Sequence, residues 1–304
     1  GVVAVCGRAR QGKSYVLNRL LGRSSGFTVG PTVRPCTKGL WLWSVPVESA
    51  DGTHLVLLDS EGIDAYDQTA QYSTQIFAMA VLMSSTFVYN QMGGIDEAAL
   101  DRLALVTELC KHVRVRSGAV ASEEELGAFA PDLVWLLRDF YLDLEDEGRA
   151  ITTKDYLERA LAVLPGQGQA AEAKNEIRRS ITALFPRRNC VALVRPCADE
   201  KTLRRLDEAP AHALRPEFLA GVEALTESVL RDAKPKMVDG CVLTGPALAA
   251  LAEAYVGAIN DGAVPAIATA WQGVAEGECR KAADGALRAY EEHYTGSDPQ
   301  PEEA

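Results

Sequence analysis

The sequence contains no closely spaced cysteine pair and no cluster of histidines. Its seven cysteines stand singly along the chain, at Cys6, Cys36, Cys110, Cys190, Cys197, Cys241 and Cys279. Zinc sites and disulfide frameworks are recognised by regular spacing, so the sequence predicts neither. Isolated cysteines are typical of reduced thiols inside the cell, and we predict a cytoplasmic location.

Long apolar runs and an excess of positive charge are also missing. The longest apolar stretch, residues 76–89, is shorter than the roughly 20 residues that cross a membrane. The formal net charge of −11 argues against binding of nucleic acid, which requires a basic surface. A phosphate ligand is not excluded, because it needs only local donors. The chain starts at Gly1, without methionine or signal peptide, so we expect a fragment of a longer protein.

Short β-rich segments alternate with helical patterns in the first half of the chain. The predicted strands cover residues 2–6, 40–47, 54–58, 87–89, 133–137 and 191–194. Asp51-Gly52 predicts a hairpin turn between two of them, and Trp41 and Trp43 share one strand face, which indicates a core position. Helical periodicity covers residues 16–21 and 98–113. The alternation predicts an α/β fold with a mostly parallel central sheet and flanking helices.

The second half of the chain changes in composition. From Gly240 onward it is rich in alanine, with helical patterns over residues 246–259 and 264–290. The Lys234-Pro235-Lys236 segment is the predicted boundary. We therefore predict an α/β domain over residues 1–235 and a helical segment over 236–304, whose polar tail from Thr295 is expected to be disordered.

One segment matches a phosphate-binding motif. Gly7-Arg8-Ala9-Arg10-Gln11-Gly12-Lys13-Ser14 fits GxxxxGKS between a predicted strand and a predicted helix, which is the P-loop context. The glycines let the backbone N–H groups surround a phosphate, and the helix adds its positive end. Lys13 is predicted to contact the β- and γ-phosphates, and Ser14 to ligate Mg²⁺. The fold class is therefore that of a P-loop NTPase, followed by an α-helical segment.

Two further segments fit a nucleotide switch. Asp59-Ser60-Glu61-Gly62 follows a predicted strand and forms a DxxG element, in which Asp59 holds Mg²⁺ through water and the Gly62 amide meets the γ-phosphate. Thr37 lies in a loop rich in glycine, proline and threonine. Such a threonine can close on Mg²⁺ when a γ-phosphate is present. Without the P-loop, an ordinary surface loop would explain Thr37 equally well.

The base preference depends on Leu137-Arg138-Asp139, which ends a predicted buried strand. An aspartate there can accept two hydrogen bonds from N1 and N2 of guanine, which adenine does not offer. The usual NKxD sequence is missing. From the residues alone, Asp139 fits a helix N-cap or a solvated loop acid equally well, so an ATPase remains an alternative to a GTPase.

Five segments in this order resemble the large GTPase domain of the guanylate-binding proteins, in the dynamin superfamily. They are Gly7 to Tyr15, Thr37 to Trp41, Leu57 to Gly62, Ser84 to Asn90 and Leu137 to Phe140. The resemblance covers nearly the whole chain, with a guanine cap at about residues 185–218 and the start of a helical middle domain from Gly240. It implies Mg²⁺-dependent hydrolysis of GTP to GDP and phosphate, nucleotide-dependent homodimerisation, and membrane association through regions outside this chain.

The resemblance also implies residue roles. Arg10 matches an internal arginine finger, with Arg8 as its local competitor. Glu61 matches a glutamate that helps to order the catalytic water, Thr37 the switch threonine, and Arg195 a guanine-cap arginine associated with dimer contacts. Arg138 and Asp139 match the guanine-reading pair.

The predicted site therefore has three overlapping sets. The catalytic set is Arg10, Lys13, Thr37 and Glu61. The metal set is Ser14, Thr37 and Asp59. The nucleotide-binding set is Gly7, Arg8, Ala9, Arg10, Gln11, Gly12, Lys13, Ser14, Tyr15, Asp59, Gly62, Arg138, Asp139 and Arg195.

Two departures from the family pattern matter. Pro35 stands where well-studied members carry a serine that relays a proton from the catalytic water, and proline has neither hydroxyl nor N–H. Val194 precedes Arg195 where some members have an acid. Pro35 keeps a non-hydrolysing, GTP-dependent assembly module open as an alternative. An atlastin-like membrane-tethering GTPase is a further alternative.

Overall fold

A computed structural model of the protein describes residues 1–30, 36–49, 51–63, 69–112, 129–166, 168–238, 240–261 and 267–295. The strands of this part of the chain are β1 (Val2–Gly7), β2 (Leu40–Leu42), β3 (Val47–Glu48), β4 (His54–Ser60), β5 (Thr86–Met92), β6 (Asp132–Arg138), β7 (Glu145–Asp146), β8 (Arg149–Ala150), β9 (Arg188–Ala192), β10 (Met237–Val238) and β11 (Cys241–Val242).

The helices follow in the same order. They are α1 (Lys13–Leu20), α2 (Ala70–Met83), α3 (Glu97–His112), α4 (Thr153–Ala160), α5 (Gln169–Leu184), α6 (Glu200–Arg204), α7 (Pro216–Asp232), α8 (Gly245–Asn260) and α9 (Ile267–Thr295), with a 3₁₀ turn at Ala211–Ala213. Among these described helices, none combines the length and the apolar character needed to cross a bilayer.

The strands form a central sheet of mostly parallel pairs. Within the described residues it has seven strands in the order β2-β4-β1-β5-β6-β9, with β3 also paired to β4. The pairs β1–β4, β1–β5, β5–β6 and β6–β9 are parallel, whereas β2 and β3 run antiparallel to β4. This arrangement confirms the predicted α/β fold class with a mostly parallel sheet.

Both faces of the sheet are covered by helices. Alternate residues of β1 point to opposite faces, so Val2, Ala4 and Cys6 pack into a cluster with α2, α3, α5 and α8. Val3 and Val5 pack on the other face with α1 and α7. Every residue of β1 is buried, which explains its unbroken apolar sequence.

One predicted strand and one predicted core position are wrong. Residues 40–47 form two short strands, β2 and β3, because Pro46 has no N–H to donate to the ladder and lies between them. Trp41 is 58% exposed on the edge strand, whereas the ring of Trp43 packs 5.4 Å from that of Phe27. The late strand, β9, begins three residues before the predicted 191–194 segment.

The chain directly before β10 is held by a buried lysine. The Lys236 ammonium donates to the carbonyls of Ser84 (2.9 Å) and Phe129 (3.1 Å). From there β10 and β11 form a hairpin that leads into α8, and α8 packs on the same face as α2. Thr295 is the last residue of α9, and the remainder of the predicted disordered tail lies outside the described residues.

Candidate functional site

The P-loop follows β1 and has the backbone of an anion-binding turn. Gly7 has φ of 151°, and a Cβ there would overlap the carbonyl oxygen of Asn90. Gly12 has φ of 74° and precedes α1 without a side-chain cap. The first N–H groups of α1 are therefore available for an anion. The loop is also clamped from β5, where Asn90 Nδ2 donates to the Gln11 carbonyl over 3.0 Å.

Lys13 folds back across this loop. Its side chain is only 6% exposed, and its ammonium donates to the Arg8 carbonyl over 3.1 Å. Burial lowers the pKa of Lys13, and the nearby Asp59 charge opposes that shift. A buried ammonium group interacts strongly with phosphate oxygens, because little water screens its charge.

The three predicted metal residues meet at one point. Ser14 Oγ donates to Asp59 Oδ2 over 2.7 Å, and Thr37 Oγ1 donates to the same oxygen over 2.9 Å. The two hydroxyl oxygens lie 3.4 Å apart. Asp59 Oδ1 is buried without a partner among the described residues.

The donor set fits a hard divalent cation. Burial raises the pKa of Asp59, and the Ser14 hydrogen bond, the Lys13 charge and the Thr37 hydrogen bond oppose it. Oxygen ligands of this kind suit Mg²⁺, and the orphaned Oδ1 gives a cation or its water a buried acceptor. No group of three or more His, Cys, Asp or Glu side chains suits a metal anywhere in the described residues. A cation site here would therefore have to use the hydroxyls.

Glu61 joins the DxxG element to the loop that carries Thr37. Its side chain is buried, with the residue 3% exposed. Its backbone N–H donates to the Gly39 carbonyl over 2.7 Å, and the Gly39 N–H donates to Glu61 Oε2 over 2.7 Å. The Tyr72 hydroxyl donates to the same oxygen over 2.9 Å. The carboxylate therefore holds two segments together.

Gly62 places the DxxG element directly against the P-loop. A Cβ at Gly62 would overlap Ala9, and the Ala9 N–H donates to the Ile63 carbonyl over 3.0 Å. The Ile63 N–H donates in turn to the Gly7 carbonyl over 3.1 Å. Only glycine fits at position 62, which explains the glycine at the end of the DxxG element.

Arg10 and Arg8 occupy different places on the P-loop. Arg10 has a positive φ of 64° and lines the cavity described below. Its exposed guanidinium donates to the Gly30 carbonyl. Arg8 is paired through its backbone with Ile63. Of the two arginines, Arg10 is the one whose residue borders the cavity.

The cavity has a volume of about 320 Å³. Its walls come from the P-loop and α1, the Thr28–Gly30 loop, the Thr37 loop and DxxG, and from a segment around α6. The lining residues are Ala9, Arg10, Gly12, Lys13, Ser14, Tyr15, Thr28, Val29, Gly30, Cys36, Thr37, Gly62, Leu203, Arg204 and Leu206. The cavity thus brings together Lys13, Ser14 and Thr37. The predicted site residues Gly7, Arg8, Gln11 and Asp59 do not belong to its lining.

The sequence did not identify Arg204 as part of this site. Arg204 is exposed and, in the described part of the chain, makes no ion pair, whereas Arg195 pairs with Glu200 and Arg205 with Glu208. Arg195 does not belong to the cavity lining. The signal available in the sequence was the Arg204-Arg205 pair within the predicted guanine cap. Which of the two arginines turns to the cavity depends on the orientation of α6.

Arg138 and Asp139 lie at the end of β6, behind the P-loop. Arg138 is 4% exposed, and its Nη1 lies 3.5 Å from the Gly12 carbonyl oxygen. Its guanidinium lies 6.0 Å from the centre of the Phe218 ring, which also packs against Tyr15. Burial lowers the pKa of Arg138, opposed by Asp139.

Arg138 and Asp139, the predicted guanine-reading pair, therefore lie beside the cavity and do not belong to its lining. Asp139 has a positive φ of 52°, a conformation uncommon outside glycine but tolerated by aspartate. Pro35, the departure that bears on proton relay, lies outside the described residues.

Comparison with known proteins gives two family matches. Residues 1–238 match the family model described as guanylate-binding protein, N-terminal domain, and residues 239–303 match the one described as guanylate-binding protein, C-terminal domain. Guanylate-binding protein 7 of Mus musculus is 42% identical over 93% of this chain and 46% of its own length. Guanylate-binding protein 1 of Homo sapiens is 39% identical over 96% of this chain and 50% of its own length.

The chain thus spans about half the length of the curated relatives it matches. Among solved structures, Toc33 from Arabidopsis thaliana in complex with Mg²⁺ and GMPPNP is 14% identical. That match covers 75% of this chain and 82% of the Toc33 chain, with a TM-score of 0.37.

Proposed function

We propose, since this chain belongs to the guanylate-binding protein family, that it binds GTP with Mg²⁺ and hydrolyses it to GDP and phosphate. The observation that carries this proposal is the meeting of Ser14, Thr37 and Asp59 beside the buried Lys13. These residues come from three separate segments, and each contributes the chemical group that a nucleotide–metal site requires.

Ser14 and Thr37 would hold the metal through their hydroxyls, and Asp59 through a water. When bound, Mg²⁺ would neutralise part of the charge on the β- and γ-phosphates. Lys13 and the P-loop amides would hold those phosphates. Arg138 and Asp139 would select guanine from the end of β6.

In the hydrolytic step, a water oxygen bonds to the γ-phosphorus while the bond from that phosphorus to the β–γ bridging oxygen breaks. The products are GDP and inorganic phosphate. We propose that Arg10 leaves the Gly30 carbonyl to stabilise the charge that develops on the bridging oxygen. We propose that Glu61 helps to order the catalytic water indirectly, from its position in the DxxG element.

We also propose that the chain forms a homodimer across its nucleotide faces when GTP is bound, and that this contact directs Arg10. Arg195, which is exposed and pairs with Glu200, is the proposed dimer residue. The α/β domain would end near residue 235, and α8 and α9 would begin the helical middle domain. We propose a cytoplasmic location, with membrane association through regions outside this chain.

Single-turnover hydrolysis tests the enzymatic proposal. The wild-type chain should release γ-phosphate from GTP in the presence of Mg²⁺, and Arg10→Ala should slow this release. Tight GTP binding without phosphate release would instead favour a GTP-dependent assembly module. Sedimentation with GTP, GDP and a transition-state mimic tests dimerisation, since a dimer should form with GTP or the mimic and dissociate with GDP.

A further inference from the structure

Tyr72 is fixed in place by the start of α2. Its backbone N–H donates to the capping hydroxyl of Thr69 over 3.2 Å, and α2 packs through its apolar face against the central sheet. The Tyr72 side chain is 38% exposed, yet its hydroxyl reaches inward to Glu61 Oε2 over 2.9 Å. The Tyr72 hydroxyl is therefore a hydrogen-bond donor of defined position next to Glu61 of the DxxG element.

The acceptor of this hydrogen bond is a buried carboxylate with a second task. Glu61 Oε2 receives the Tyr72 O–H and the Gly39 N–H, and these are its hydrogen bonds within the described residues. A buried charge needs such donors, because its desolvation is otherwise costly. Hydrogen bonds to an ionised acceptor are also stronger than neutral ones, so both donors fix the carboxylate.

Gly39 connects this carboxylate to the metal residues. It lies two positions after Thr37, whose hydroxyl donates to Asp59 Oδ2. A carboxylate that keeps its hydrogen bond to the Gly39 N–H therefore restrains the loop that presents Thr37. If Glu61 loses one of its two donors, the side chain gains freedom to rotate away from Gly39.

We infer that Tyr72 is a positioning residue, which acts through Glu61 to hold the Thr37 loop against the DxxG element. The expected effect of Tyr72 on turnover rests on the proposed function. Neither Tyr72 nor Glu61 belongs to the cavity lining. Tyr72 thus affects the chemical step more than nucleotide affinity. The phenol remains a donor throughout the neutral range, since burial and the Glu61 carboxylate raise the pKa of Tyr72 above its ordinary value of 10.0.

Tyr72→Phe tests this inference, because it removes the hydroxyl and keeps the partly exposed ring. We expect kcat for GTP to fall about tenfold, the size of one lost hydrogen bond to a charged group, with GTP affinity unchanged. Tyr290→Phe is the matched control, since Tyr290 lies on α9 and stacks on Tyr294. In a Glu61→Ala background, Tyr72→Phe should cause no further loss.

Hydrogen exchange gives a second readout that does not depend on hydrolysis. The Gly39 amide should exchange faster in Tyr72→Phe than in the wild-type or Tyr290→Phe chain, all without nucleotide. Unchanged exchange at Gly39 in Tyr72→Phe would overturn the inference. So would an equal loss of kcat on Tyr72→Phe substitution in the wild-type and the Glu61→Ala backgrounds. A wild-type chain that hydrolyses no GTP would refute the proposed function, while the exchange comparison would still decide the role of Tyr72.

Discussion

Ser14 and Asp59 are 45 residues apart in the sequence and share a hydrogen bond of 2.7 Å. The parallel pairing of β1 and β4 explains this contact, because it sets Val5 opposite Asp59 and brings the carboxyl ends of both strands to one edge of the sheet. Ligand sites of open α/β sheets form at such edges. The P-loop and the DxxG element meet there for the same reason.

The Asp59 carboxylate should cost stability when no cation is bound. Burial raises the pKa of Asp59 above its ordinary value of 3.8. The stability linked to its protonation is therefore fully present below pH 3.8, and it is lost as the pH rises through the pKa of Asp59 in the folded protein. Asp59→Asn should therefore raise the Tm of the nucleotide-free protein at pH 7, and the difference should shrink near pH 3.8.

Thermal melts of both proteins with and without Mg²⁺–GTP check this prediction. The wild-type chain should gain stability from Mg²⁺–GTP, and Asp59→Asn should gain far less. A lower Tm for nucleotide-free Asp59→Asn at pH 7 would contradict the assigned direction of the pKa shift.

Arg10→Ala should lower the rate of γ-phosphate release about 10³-fold, which is the lower end of the effect of an arginine finger. GDP affinity should change little, because the proposed contact forms in the transition state. Single-turnover kinetics measure the rate, and Arg8→Ala provides the comparison on the same loop. A larger loss in Arg8→Ala than in Arg10→Ala would assign the finger to Arg8.

Asp139→Asn should reduce the preference for GTP over ATP, because an amide cannot accept both hydrogen bonds from guanine N1 and N2. Each lost hydrogen bond of this kind costs about 1–3 kcal/mol, which corresponds to roughly 5- to 150-fold in affinity. Competition binding of the two nucleotides measures the preference. An unchanged preference would remove Asp139 from the guanine site.

Arg204→Ala should weaken nucleotide binding about fivefold, because an exposed charge contact contributes about 1 kcal/mol. Arg205→Ala is the neighbouring control, since Arg205 pairs with Glu208 and does not belong to the cavity lining. Both affinities can be measured with a fluorescent GTP analogue, and the Arg204 effect should decrease at high salt. Equal effects of the two substitutions would argue for general surface charge.

The parts of the site set by local backbone rules were predictable from the sequence. The GxxxxGKS match predicted the P-loop, because Gly7 and Gly12 have positive φ, a conformation that glycine adopts readily. The family models confirm the resemblance to the guanylate-binding proteins that these motifs carry.

The parts set by tertiary packing were not predictable. The Tyr72–Glu61 hydrogen bond joins the start of a helix to a loop, and neither periodicity nor motif spacing in the sequence predicts it. Trp41 follows the period of a half-buried strand, but it lies on β2 at the edge of the sheet and is 58% exposed. Arg204 and Arg205 look alike in sequence, and only the path of α6 separates them.

Calorimetric titration of the wild-type chain with GTP, first with Mg²⁺ and then with EDTA, is the decisive measurement. We expect GTP to bind, and Mg²⁺ to strengthen this binding. Asp59→Asn should make GTP binding insensitive to Mg²⁺, and ATP should not bind in the same way. GTP binding of equal strength with and without Mg²⁺, or no GTP binding by folded protein, would contradict the proposed function.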